Sequence, residues 1–159
     1  MNNIYGIGLP RTGTASLNKA LQMLGKESNH RCILHDNKQK PITVTDIYNV
    51  DNSFYQHFRT TLYNTRFKNS LFILTTRDRT DWETSISRFN GPEDIPNIED
   101  YEYNIKQIFA DLNKATQLLI INIFKDPNSF KKLATFLGVK HNNLEFPHTK
   151  KLSHLRLQV

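Results

Sequence analysis

Near its start the chain reads Gly8-Leu9-Pro10-Arg11-Thr12-Gly13-Thr14-Ala15-Ser16, a run that joins glycine, hydroxyl side chains and one arginine without a gap. These residue types suit a phosphate or sulfate. Gly13 lets a backbone approach an anion closely, Thr12, Thr14 and Ser16 offer hydroxyl donors, and Arg11 carries a planar fork that matches two anionic oxygens. An ordinary glycine turn capped by threonine would use the same residues, so the flanking elements decide. Ile4 to Leu9 is a short apolar run, and Leu17, Ala20, Leu21 and Leu24 share one helical face. Strand, tight loop and helix in that order form the setting in which backbone amides and a helix dipole hold phosphate.

Two other nucleotide motifs fail here. A Walker A loop needs Lys and then Ser or Thr after the second glycine of Gly8-x4-Gly13, where this chain has Thr14-Ala15. A dinucleotide fingerprint starting at Gly6-x-Gly8 needs its third glycine at position 11, which is Arg11.

The remaining elements alternate. Ser70 to Thr76 and Leu118 to Ile123 read as buried strands, being short, apolar and partly β-branched. Helices are expected over residues 52–67, from Thr80 or Asp81 to about Phe89, over 99–115, and over 128–137 with a stop at Gly138. Gly25 is the expected left-handed cap of the first helix, and residues 26–45 are polar and irregular, with short strands at 32–34 and 42–44. Strands alternating with helices predict an α/β fold: one three-layer domain over residues 1–159, with a mainly parallel sheet and the phosphate loop after its first strand.

Composition narrows the class. The chain has 159 residues, 38% of them hydrophobic, enough for one core and one site. A single cysteine, Cys32, excludes an internal disulfide, the six histidines lack zinc-like spacing, and no metal is expected. The N-terminus has no basic-then-apolar leader and no stretch approaches the ~18 apolar residues of a membrane span, so a cytoplasmic protein without a membrane partner is expected. The net charge of +6 suits an anionic partner without choosing one.

Residues 6–17, Gly-Ile-Gly-Leu-Pro-Arg-Thr-Gly-Thr-Ala-Ser-Leu, resemble the 5'-phosphosulfate loop of the P-loop sulfotransferases, especially their compact bacterial-type branch. Arg11 stands at the position of that family's basic residue, and Ala15 replaces a second threonine that is common there, leaving a backbone amide in its place. The family's other signature, an arginine at a strand end and a serine eight residues later, is matched by Arg77 and Ser85, with Trp82 as its helix-start aromatic. Phe136-Leu137-Gly138-Val139 and Glu145-Phe146-Pro147-His148 resemble its closing helix and tail, after which Lys150 and Lys151 follow.

The resemblance implies a metal-free enzyme that moves the sulfuryl group of 3'-phosphoadenosine 5'-phosphosulfate (PAPS) in line to a hydroxyl or amine, releasing the 3',5'-bisphosphate (PAP). Arg11, Thr12, Gly13, Thr14, Ala15 and Ser16 would hold the 5' end, and Arg77 with Ser85 the 3'-phosphate. Arg11 would be catalytic as well. Asp46 is the expected base, because Val44-Thr45-Asp46 resembles the segment facing the acceptor, with His35 and Asp36 as alternatives. A P-loop kinase or nucleotide hydrolase is opposed by the missing lysine and by the lack of a strand-end acidic residue for magnesium other than Asp78. A non-catalytic polyanion or nucleic-acid binder fits the charge and the scattered aromatics, although nucleic acid is not the expected partner.

Overall fold

A computed structural model describes residues 3–31, 42–48, 50–88, 96–141 and 145–147. Among them, β1 (Ile4–Gly6), β2 (Asn29–Arg31), β3 (Ile42–Thr45), β4 (Leu71–Thr75) and β5 (Leu118–Ile121) form one sheet in the order β2-β3-β1-β4-β5. Every pairing is parallel. The helices are α1 (Thr14–Met23), α2 (Asn52–Tyr63), α3 (Arg79–Ser87), α4 (Ile98–Asp111) and α5 (Ser129–Leu137).

Alternation along the strands builds two cores. Tyr5, Phe72 and Leu74 point to the face covered by α2, α3 and α4, where Phe58, Leu62, Trp82, Tyr101, Ile105 and Phe109 meet them. Ile4, Val44, Ile73 and Ile121 point to the other face, against Leu17, Ala20 and Leu21 of α1 and Phe130 and Leu133 of α5. The expected three layers are therefore present. Side chains that leave water on this scale contribute about 1.5–3 kcal/mol each, which is why helices of modest propensity hold their places.

The chain leaves β1 toward one face through α1 and leaves β3 toward the other through α2, before β4 joins the far side of β1. Such a switch point opens a crevice at the carboxyl ends of the strands. Both the loop after β1 and Asp46 after β3 end there.

Several boundaries differ from the sequence reading. The second helix ends at Tyr63, and a separate 3₁₀ turn covers Thr65–Phe67 with Asn64 capping it. The fourth ends at Asp111, before Asn113 turns into the left-handed region at φ 55°. The third begins at Arg79, with Asp78 rather than Thr80 or Asp81 at the cap position and no side-chain cap bond. Asp78 has another engagement, since its carboxylate pairs with Lys125 and accepts from Asn122 Nδ2 at 3.5 Å. A strand at 29–31 went unforeseen, because Asn-His-Arg carries no apolar signal. The strand expected at 32–34 lies outside the described residues.

Candidate functional site

The loop after β1 is held by its carbonyls. Gly6 O accepts from Thr45 Oγ1 at 2.8 Å, Ile7 O from the Tyr101 hydroxyl at 2.6 Å, and Gly8 O from the Ile47 amide at 3.0 Å. Leu9 O accepts from Thr12 Oγ1 at 2.6 Å, Pro10 O from Trp82 Nε1 at 2.9 Å, and Arg11 O from Arg77 Nη1 at 3.2 Å. Six successive carbonyls are thus committed to β3, α3, α4, the strand-end segments or the loop itself. Anion repulsion from carbonyl oxygens is thereby turned away from the loop.

The amides have the opposite bias. The first helical bond of α1 runs from the Leu17 amide to Gly13 O at 2.9 Å, so the amides of Thr14 and Ala15 have no acceptor within the helix. They sit at the positive end of the helix dipole.

Two glycines make the turn possible. Gly13 adopts φ 93°, and a Cβ there would also lie 2.2 Å from Ile123 Cδ1. Gly8 needs no unusual φ, but its Cβ would fall 2.1 Å from Thr75 Oγ1 and 2.7 Å from Thr12 Oγ1. Both exclusions come from neighbouring side chains, so the glycines serve packing as well as anion access. Arg11 itself occupies the left-handed region at φ 66°, a rare state for a non-glycine residue that the surrounding contacts must impose.

Arg11, Arg77 and Ser85 converge. Arg11 Nε donates to Ser85 Oγ at 2.8 Å, while Arg77 reaches the Arg11 carbonyl and lays its guanidinium 4.0 Å from the Phe124 ring centroid. Burial lowers the Arg77 pKa from its ordinary value, Asp81 offsets part of this, and the Arg11 charge adds to it. Arg77 Nε is buried and makes no hydrogen bond among the described residues. A buried donor without an acceptor costs about 1–3 kcal/mol, and a phosphate oxygen would satisfy it. The donor set, two guanidiniums, a hydroxyl and a helix N-terminus, fits a ligand with phosphates at two places.

The hydroxyls behave differently from the sequence reading. Thr12 Oγ1 is fully buried between Leu9 O and Thr75 Oγ1, the latter 2.7 Å away. Thr14 Oγ1 hydrogen-bonds Asp46 Oδ1, and Ser16 is buried. The Thr12 and Thr14 hydroxyls thus fasten the loop to its surroundings.

Asp46 is therefore placed beside the loop. A partner that the sequence did not single out is His30, whose Nε2 lies 3.1 Å from Thr14 Oγ1 and 3.5 Å from Asp46 Oδ2. Only the sheet shows this, since β2 and β3 pair in parallel with His30 opposite Val44. The alternative bases His35 and Asp36, like Cys32, His148, Lys150 and Lys151, lie outside the described residues. Asp78, the acidic residue a magnesium-dependent enzyme would need, is tied to Lys125. Phe146 of the expected tail is buried against Phe130, with ring centroids 6.3 Å apart. No helix among the described residues is long and apolar enough to cross a membrane.

Known proteins resemble this chain in part of its sequence and in its fold. The family described as "Sulfotransferase domain" matches residues 3–70, the segment holding the loop, His30 and Asp46. No curated protein sequence matches the chain. Mouse sulfotransferase SULT7A1, solved in complex with PAP, has a similar structure at TM-score 0.60 and 15% identity, covering 89% of this chain. The chain spans 60% of that protein's length. A thymidylate kinase from Candida albicans aligns at TM-score 0.41 and 12% identity, over 86% of this chain and 89% of its own, too loosely to bear on function. Residues 3–70 thus resemble a sulfotransferase domain, and the fold over most of the chain is one that a sulfotransferase also has.

Proposed function

We propose that the chain binds PAPS with its 5'-phosphosulfate on the loop at residues 8–16 and its 3'-phosphate at Arg77 and Ser85, and transfers the sulfuryl group to a hydroxyl or amine. The observation that carries this is the convergence of Arg11, Arg77 and Ser85 on a loop whose carbonyls from Gly6 to Arg11 are turned to protein partners. The PAP found in mouse SULT7A1 supports the choice of nucleotide.

PAPS supplies the sulfuryl group, whose bond to the nucleotide oxygen breaks as its bond to the acceptor forms. Arg11 and the amides of Thr12 to Ala15 stabilise the charge that grows on the leaving oxygen, in a site preorganised by the carbonyl anchors. Asp46 takes the acceptor's proton. It stands next to the loop because β3 is hydrogen-bonded to β1. Arg77, held over Phe124, contributes a fixed cation, and Ser85 a neutral donor.

Calorimetry with PAP and AMP tests the binding half of this reading. PAP should bind about ten- to a hundredfold more tightly, the worth of one charge-assisted set of contacts. Equal affinities would remove Arg77 and Ser85 from the site.

A further inference from the structure

Asp46, Thr14 and His30 come from three different elements and meet at the switch point of the sheet. Thr14 is the first residue of α1, Asp46 directly follows β3, and His30 lies in β2. Their polar atoms are continuous: Asp46 Oδ1 to Thr14 Oγ1, and Thr14 Oγ1 to His30 Nε2 at 3.1 Å. The Asp46 and His30 side chains keep 14% and 24% exposure, whereas Thr14 is buried between them.

The hydroxyl sets the direction of this chain. It holds one proton and two lone pairs, so it can donate to one neighbour while accepting from the other. Beside an ionised Asp46 it donates to Oδ1. Beside a protonated Asp46 it must accept, and its own proton then turns toward Nε2 of a His30 that carries its proton on Nδ1. The hydroxyl is a two-way connector between a carboxylate and an imidazole.

We propose that Asp46, Thr14 and His30 form a proton relay in which Asp46 takes the acceptor's proton and His30 stores it. This rests on the sulfotransferase reading and deepens it. The acceptor's O–H or N–H bond breaks as an Asp46 O–H bond forms; Asp46 then gives a proton to Thr14 Oγ1 as the Thr14 proton passes to His30 Nε2. The net result is one proton moved, with a carboxylate regenerated 3.5 Å from an imidazolium. An imidazole keeps such a proton near neutral pH better than a carboxylate, so Asp46 returns to its basic form. His30 acts through Thr14 and Asp46 and is a positioning residue. Because Thr14 belongs to the phosphate loop, the relay also fixes Asp46 to the element that holds the sulfuryl donor.

The test uses the full chain, PAPS, and 2-naphthol as the probe acceptor, with PAP release followed in single turnover. His30→Gln and Thr14→Val should each slow transfer roughly tenfold or more, and in His30→Gln PAP affinity should stay within about threefold, in keeping with the size of general-base contributions. Imidazole in the medium should restore part of the rate lost in His30→Ala, which a purely structural role would not allow. Without nucleotide, the ¹⁵N resonance of His30 Nε2 should move in both Thr14→Val and Asp46→Asn. Wild-type turnover in His30→Gln, or an Nε2 resonance indifferent to both changes, would overturn the relay. A wild-type chain that neither prefers PAP to AMP nor consumes PAPS would instead overturn the sulfotransferase reading beneath it. If PAP is preferred but 2-naphthol is not sulfated, the resonance shifts decide the relay.

Discussion

Arg11 Nε donates to Ser85 Oγ across 2.8 Å, joining the loop after β1 to α3 although the two residues lie 74 positions apart. This bond makes the two halves of the proposed nucleotide site one structure, since the residue assigned to the 5' end touches a residue assigned to the 3' end. Ser85→Ala should therefore lower PAP affinity and also loosen Arg11. Calorimetry should show a several-fold loss for PAP and a smaller one for AMP, because only PAP carries the 3'-phosphate while both share the end that Arg11 holds. An equal loss for both would mean that Ser85 serves Arg11 alone.

Trp82 and Tyr101 hold the loop from beneath through Pro10 O and Ile7 O, and both are buried. Trp82→Phe and Tyr101→Phe keep most of the apolar volume and leave one carbonyl each without its donor. Each should cost about 1–3 kcal/mol in urea unfolding, the usual penalty for a buried polar group that loses its partner. Burial pushes the Tyr101 hydroxyl well above its ordinary pKa, so it stays a donor through the working pH range. Unchanged unfolding midpoints would show that the carbonyl anchors do not hold the loop.

Gly13 and Gly25 allow strain and crowding to be separated. Both have positive φ, 93° and 79°, but an added Cβ at Gly25 meets nothing within 4 Å, whereas at Gly13 it meets Ile123. Gly25→Ala should cost about 1 kcal/mol, the price of the left-handed region alone. Gly13→Ala should cost distinctly more and abolish PAP binding, with part of the stability recovered on trimming Ile123 to Val. Equal costs in thermal unfolding would mean that the Ile123 contact relaxes freely.

The sheet and the loop after its first strand were legible because their signals are local. Apolar runs at 4–9, 70–76 and 118–123 mark three of the strands, the last of them half-buried rather than buried, and the loop between Gly8 and Ser16 is written in consecutive residues. That Arg77 and Ser85 lie together beside Arg11 followed only from resemblance, as nothing local ties that arginine to a loop 66 positions earlier. His30 stayed hidden for a physical reason. It lies in a polar strand at the sheet edge, and its meeting with Asp46 depends on the parallel pairing of β2 with β3, a long-range choice that three polar residues do not announce. The fate of the threonine hydroxyls was equally non-local, being decided by Thr75 and Asp46.

Phe124 provides a further check on the Arg77 assignment. Its ring faces the Arg77 guanidinium at 4.0 Å, a cation–π contact of about 0.5–2 kcal/mol that limits where Arg77 can reach. Phe124→Leu should weaken PAP binding roughly two- to tenfold and leave the unfolding temperature nearly unchanged, since Phe124 is exposed. A variant that binds PAP as well as the wild type would show that Arg77 needs no such support.

Single-turnover transfer from PAPS, compared between the wild type and Arg11→Ala, tests the central claim most directly. Charge on the leaving oxygen appears only as the bond breaks, so Arg11 should matter more to rate than to affinity. The wild type should sulfate a hydroxyl or amine acceptor, and Arg11→Ala should be slower by about two orders of magnitude while PAP affinity falls less. Arg11→Lys should recover part of the loss, because the charge remains without the planar fork. A wild type that leaves PAPS intact, or an Arg11→Ala variant with undiminished turnover, would contradict the assignment of sulfuryl transfer to this loop.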